Sequence, residues 1–311
     1  MSDITKGVGS VPALHRVILD TDIGSDVDDL LALVLILGTP EIDLVGVTTV
    51  YGDTRLRARI ARSVLGKAGR QVPVHAGLVA PLSGREVWWA GHEGVLHGDL
   101  TREAYDSDDA VRFLVDTVIA APGEIDVMAI GPLTNIAAAI AADERFSRSV
   151  RHLWLMGGSF TDDEPEHNFR SDDVAARTVF ASGIPTTVSG LEITRRINIG
   201  SDELARIAEA GQVGRLIEAE IEQWWKFWDT AWNVPHDPVT VLTLTRPDLF
   251  EFTPMGTISV AEGDDEGVSR FEPGRGVSRL AAEIDAEAVS AAIVDGIIRG
   301  SGSRSAAGLS R

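Results

Sequence analysis

The chain has 311 residues, no cysteine and a formal net charge of −19. A field of that sign repels nucleic-acid backbones and anionic membranes, while it attracts cations and tolerates neutral substrates. Without cysteine there is neither a disulfide framework nor thiolate chemistry. No apolar run nears the ~20 residues of a membrane span. Met1 to Pro12 lack the basic and apolar regions of a signal peptide, so the expected setting is cytoplasmic.

Val17 to Asp20 reads as a short buried strand. It runs into five carboxylates within ten residues: Asp20, Asp22, Asp26, Asp28 and Asp29. An apolar helix follows, from about Asp28 to Gly38. Acids in a first helical turn suit the positive end of the dipole. That explains Asp28 and Asp29 but leaves Asp20 and Asp22 at the mouth of a strand unexplained. Carboxylates this dense raise one another's pKa, and a hard cation relieves the repulsion, since Ca²⁺ and Mg²⁺ prefer such oxygens. Asp20 and Asp22, two apart, point the same way on an extended chain. One cation collecting Asp22 and Asp29 would leave Asp28 to face a substrate. Asp20 is alternatively a cap under the turn, and Asp26 is the ambiguous member.

Asp43 to Val50 is the second strand, ending at Tyr51-Gly52-Asp53, and Leu56 to Gly69 is a helix. Val74 starts a short strand. Ser83 to Tyr105 is a long segment rich in Gly, Trp and His, in which Trp88, Trp89, His92 and Glu93 suggest a lid. Then come a helix (Asp108 to Ala121), a strand (Ile125 to Ile130), a helix (Leu133 to Ala142) and a strand (Val150 to Met156) closed by Gly157-Gly158. Glu166-His167-Asn168 lies in the following loop; Glu and Asn hydrogen-bond sugar hydroxyls, although a solvated acidic loop is the plainer reading. A helix (Val174 to Ser182) and a strand (Thr186 to Val188) continue the alternation. Trp225, Trp228 and Trp232 fall at i, i+3, i+7, one helix face. Such a stripe suits core or an oligomer contact, or a flat wall for a base. His236-Asp237-Pro238 frames a turn before a helix at Val239 to Thr245.

This alternation predicts a single α/β domain over residues 14–300, with residues 1–13 and 301–311 as flexible tails. The sheet is expected to be Rossmann-like, open and mostly parallel, with helices on both faces. In such sheets ligands bind beyond the carboxyl ends of the strands, which is where the polar clusters fall.

Asp20-Thr21-Asp22-Ile23-Gly24 to Asp28-Asp29, Thr48 to Gly52, Gly131 to Asn135, Leu155 to Gly158, Glu166-His167-Asn168 and His236-Asp237-Pro238 together resemble the inosine-uridine-preferring nucleoside hydrolase family. The order and spacing agree over roughly residues 16 to 300. The resemblance implies a Ca²⁺-dependent N-ribohydrolase that releases ribose and a free base from a nucleoside. Asp22, Asp29, Asp237 and the Ile130 carbonyl would be metal ligands, with Asp26 as an alternative. Asp22 would activate the attacking water and His236 would protonate the departing base. Asp28, Glu166 and Asn168 would grip the ribose, and Met156 would line its pocket. Asp53, His92, Trp225 and Trp228 complete the expected substrate contacts. A homodimer or homotetramer is expected. The chain departs from the family pattern at the inserted Ser25-Asp26, at Asp53 in place of Asn, and in a short 159–165 segment.

Two rivals stand beside this reading. One is a haloacid-dehalogenase-like phosphohydrolase with Asp20 as nucleophile, which needs a well-placed lysine; the lysines are Lys6, Lys67 and Lys226. The other is a non-catalytic nucleoside or sugar binder.

Overall fold

The computed structural model describes residues 14–263 and 266–302. Its first half alternates strand and helix: β1 (His15–Thr21), α1 (Asp28–Leu37), β2 (Ile42–Thr49), α2 (Thr54–Lys67), β3 (Val74–Ala76), α3 (Ala110–Ala120), β4 (Ile125–Ala129), α4 (Thr134–Ala142), α5 (Arg145–Ser149) and β5 (His152–Met156). There follow α6 (His167–Ser171), α7 (Asp173–Ala181), β6 (Thr186–Ser189), α8 (Leu191–Thr194), α9 (Ser201–Ala208), α10 (Gln212–Trp228) and α11 (His236–Thr245). The chain closes with β7 (Phe250–Phe252), β8 (Gly256–Val260), β9 (Ser269–Pro273), β10 (Ser278–Ile284) and α12 (Ala286–Ser301).

The sheet runs β3-β2-β1-β4-β5-β6-β10-β8-β9, with β7 also paired to β10. From β3 to β10 every neighbour is parallel; β7, β8 and β9 add an antiparallel flank. The parallel part follows the Rossmann order, in which the winding reverses between β1 and β4. The chain therefore forms the expected mostly parallel α/β sheet. The antiparallel flank is an addition that the sequence pattern did not suggest, although β8 alternates buried and exposed residues as a one-faced strand does.

Alternation within β1 explains the two layers. Val17 and Leu19 enter a core shared with α1, α2 and α9 to α12, and Ile18 enters the other, with α3, α4 and α7. α1 is buried along nearly its whole length, which is why its sequence is apolar all round. It packs against α11 and α12. Its contact with α12 is close enough that a Cβ on Gly300 would overlap the Val34 carbonyl. The expected tails are residues 1–13 and 301–311. Ser301 instead ends α12, and residues 1–13 and 303–311 lie outside the described residues.

Because α1 carries Asp28 and Asp29 on its first turn, this close helix pair also fixes the site. Gly300→Ala should lower unfolding stability by about 1–3 kcal/mol, the usual cost of overpacking, measured by urea denaturation; an unchanged midpoint would show that the helices do not pack this tightly.

Candidate active site

The reversal between β1 and β4 places two loops side by side. Strand geometry ends at Thr21, so Asp20 and Asp22 do not share a direction as an extended chain would require. Asp20 turns under the site, fully buried, accepting from the Thr48 hydroxyl at 2.5 Å and the Asn135 amide at 2.8 Å. Asp22 lines a cavity of about 440 Å³, a size suited to a small organic ligand. Gly131, just after β4, permits this: a Cβ there would meet Asp22 Oδ1 at 2.5 Å.

The same cavity collects Asp26, Asp28, Asp29, Ile130, Met156, Glu166, Asn168, Trp228, His236 and Asp237. These come from the ends of β1, β4 and β5, the starts of α1, α6 and α11, and the C-terminus of α10. Asp28, Asp29 and Asp237 each offer a buried carboxylate oxygen, all within 4.8 Å of one another. Asp28 thus stands beside Asp29 and Asp237 in a group that could hold a metal ion, and Asp22 sits in the cavity outside that trio. The reason is helical: Asp28 and Asp29 open α1, and α11 brings Asp237 to them.

Several of the expected site residues are already anchored by the protein. Glu166 caps α6, accepting from the backbone N–H of Asn168 at 2.8 Å, Phe169 at 3.0 Å and Gly158 at 3.0 Å. Asn168 donates to the Ile130 carbonyl at 2.9 Å, which retains a second lone pair. The Thr21 hydroxyl donates to Asp29. His236 Nδ1 lies 2.7 Å from the Thr194 hydroxyl.

Three expected contacts lie elsewhere. Asp53 is exposed and caps α2, accepting from Leu56 N at 2.9 Å, the common task of such a residue before a helix. His92 Nε2 is engaged with the Ser25 carbonyl at 2.9 Å and does not line the cavity. Trp225 packs against the core. The expected Trp stripe fails because α10 ends at Trp228: Asp229 adopts a left-handed φ of 53°, leaving Trp232 beyond the helix and exposed. The face that lines the cavity is instead Trp224 and Trp228, i and i+4, with Trp88 joining them.

Sequence reasoning also missed Arg57, Arg170, Arg195 and His167 in the lining. For Arg57 a signal existed: with Ile60, Ala61 and Val64 it occupies the buried face of α2, and a buried charge demands partners.

Burial drives every carboxyl of the cluster upward. Asp20 and Asp26 each rise from 3.8 to about 7, and Asp28, Asp29 and Asp237 rise well above their ordinary value, pushed further by neighbouring carboxyls that include Asp22 and Asp26. Asp22 is raised by burial and held back by Arg57 and His167. His236 falls to about 4, first through burial and then through Arg195. An all-oxygen set of buried acids in electrostatic conflict fits a hard divalent cation.

Asp20 has no place in the lining and lacks the exposure a phosphoryl-accepting nucleophile needs. Neither Lys67 nor Lys226 reaches the cavity, and Lys6 lies outside the described residues. Cavity and fold together define an α/β protein with a small-ligand site built around buried acids at the carboxyl ends of its strands, and similarity to known proteins names the chemistry.

The chain belongs to the inosine-uridine preferring nucleoside hydrolase family, whose model matches residues 17–291. It is accordingly an N-ribohydrolase. It is 33% identical over 267 residues to uridine nucleosidase 1 of Arabidopsis thaliana, covering 78% of each chain. A plant nucleoside hydrolase structure superposes with a TM-score of 0.81 at 26% identity, covering 91% of this chain and 99% of that one. A purine-preferring ribonucleoside hydrolase from Gardnerella vaginalis gives 0.81 at 26%, covering 92% and 99%.

Metal-free protein should show a definite pH dependence. Native carboxyls raised above the unfolded value of 3.8 stabilise the fold fully below it, and that stability is lost as pH rises through about 7. His236 and His152, both lowered from 6.5 to about 4, and His75, also lowered, act oppositely over that window, three imidazoles against eight raised carboxyls. The urea midpoint of chelated protein should therefore fall from about pH 5 to about pH 8, and saturating Ca²⁺ should remove most of the difference. A midpoint that rises over that range would contradict this.

Proposed function

We propose that the chain is a Ca²⁺-dependent nucleoside hydrolase that cleaves the N-glycosidic bond of a ribonucleoside to give ribose and free base. The observation that carries the metal is the buried trio Asp28, Asp29 and Asp237, with ligand atoms within 4.8 Å. These three, with Asp22 and the Ile130 carbonyl beside them in the cavity, would hold the ion, and Asp26 is the reserve carboxylate. When bound, Ca²⁺ would lower the pKa of a water and grip vicinal hydroxyls.

The chain's own groups do the rest. Asp22, a carboxylate whose basicity burial strengthens, takes a proton from the attacking water. Glu166 and Asn168, held by their backbone bonds, orient the ribose diol. Met156 packs beneath the sugar. The surrounding anionic oxygens favour the positive charge that develops on the sugar as the bond breaks. His236 is neutral at ordinary pH, so it serves the departing base as a hydrogen-bond donor or proton relay oriented by Thr194. Trp88, Trp224 and Trp228 offer flat faces to the base.

The uridine and purine preferences in the names of similar proteins leave both base classes as candidate substrates. A cytoplasmic setting and a homodimer or homotetramer complete the proposal. Among the described residues no helix is long and apolar enough to cross a membrane.

A panel of purine and pyrimidine nucleosides, assayed for reducing sugar with and without chelator, tests the reading; turnover that survives complete removal of bound metal would defeat the Ca²⁺ claim. Binding without turnover would favour the binder. Asp22→Ala should cut kcat by about 10²–10⁴-fold, the usual worth of a general base, and wild-type turnover would refute its role. His236→Ala should slow natural nucleosides by a similar factor yet spare a riboside with a nitrophenol leaving group.

A further inference from the structure

Arg57 is the one arginine in the buried set among the described residues, and it is fully enclosed. Among the described residues its guanidinium makes no close ion pair with a carboxylate, although its charge acts on Asp22 and Asp29. Nε donates to the Tyr51 carbonyl at 2.6 Å. Nη1 donates to the Asp22 carbonyl and, at 3.0 Å, to the Ile23 carbonyl. Nη2 donates to Ser25 Oγ at 3.2 Å. The guanidinium also lies 4.9 Å from the centre of the Trp89 ring, within cation–π range. One side chain thus ties the backbone of the acidic turn, at Asp22 and Ile23, to that of Tyr51 just after β2.

Ser25 belongs to the two residues inserted into that turn, and it extends the grip outward. Its hydroxyl donates to Glu93 Oε1 at 2.9 Å, and its carbonyl meets His92 Nε2 at 2.9 Å. Glu93 is buried and also accepts from Ala90 N and Gly91 N, both at 2.8 Å. The expected lid around Trp88 and Glu93 is therefore tied to the turn that carries Asp22, with Arg57 and Ser25 as the two links.

We infer that Arg57 is a positioning residue for the hydrolysis: it fixes Asp22 through the backbone and, through Ser25, couples the 88–93 loop to the acidic turn. The inference rests on the proposed role of Asp22. The physical reason lies in the fork. A planar guanidinium presents five donors in a fixed arrangement, and four acceptors here use three of its nitrogens; a lysine ammonium supplies the charge without the geometry. A carboxylate displaced by about 1 Å from its working position loses on the order of 10²-fold in rate. Loss of an outer support typically costs a metal site about 10- to 100-fold in affinity.

Arg57→Lys separates geometry from charge. Folded Arg57→Lys should lose about 10²-fold in kcat with KM much less affected, and Ca²⁺ affinity by titration calorimetry should fall about 10- to 100-fold. Amide hydrogen exchange should quicken at residues 22–26 and 88–93 together. Ser25→Ala, which keeps the buried cation, should quicken exchange in both segments with a smaller loss of kcat. The double variant should be little worse than Arg57→Lys alone, because the two residues act in one chain. If Arg57→Lys does not fold, Ser25→Ala decides alone: faster exchange at 88–93 supports the coupling, and unchanged exchange there overturns it. Wild-type kcat and Ca²⁺ affinity in Arg57→Lys, or strictly additive losses, would also overturn it. Should the wild-type chain hydrolyse no nucleoside, the proposed function falls, while exchange and Ca²⁺ titration still decide whether Arg57 holds the turn.

Discussion

Crowded buried acid is the constraint around which this molecule is organised. Asp22, Asp26, Asp28, Asp29 and Asp237 share one cavity, each raised above its ordinary pKa chiefly by burial. A chain gains nothing in stability from such an arrangement, since a buried charge without a partner is costly. It persists because the surrounding scaffold over-determines it. The Thr21 hydroxyl, Asn135, the first turn of α1 and the guanidinium of Arg57 each hold one piece. Protons would relieve the conflict in an empty site and a cation in a filled one, which would make stability, metal affinity and pH three views of one equilibrium.

The scaffold can impose this because of where it winds. The reversal between β1 and β4 leaves a crevice at their carboxyl ends. Asp22 enters it from one strand and Ile130 from the other, with Gly131 making room. α1 and α11 then aim their N-termini at the same point, bringing in Asp28, Asp29 and Asp237. Helix N-termini favour anionic side chains, so the acids sit where the backbone best tolerates them. The aromatic wall from Trp88, Trp224 and Trp228 is built on separate, outer segments.

Much of the fold was legible because several strands end in a local signal: Gly52 after β2, Gly131-Pro132 after β4, Gly157-Gly158 after β5. The acidic turn was equally plain, since carboxylates packed this densely along a chain repel one another until a cation gathers them. Where the pattern misled, a tertiary fact overrode a periodic one. Trp232 matched a helical stripe until Asp229 ended the helix. Asp53 looked like a ligand contact and proved to be a helix cap. Arg57 passed unnoticed because its partners are mostly backbone carbonyls, which no side-chain motif records.

Sequence alone determined the alternating α/β order, which depends on periodicities of a few residues, and, through resemblance to a known family, the reaction class; it also offered the acids that could bind a hard cation. Only the tertiary structure decided which acids converge. Asp28 joins Asp29 and Asp237 while Asp20 withdraws beneath them, since contacts between residues so distant along the chain are set by how α1, α11 and β4 pack. It also decided that Trp224 rather than Trp225 faces the cavity, because a helix's rotation is fixed by the core it lies against.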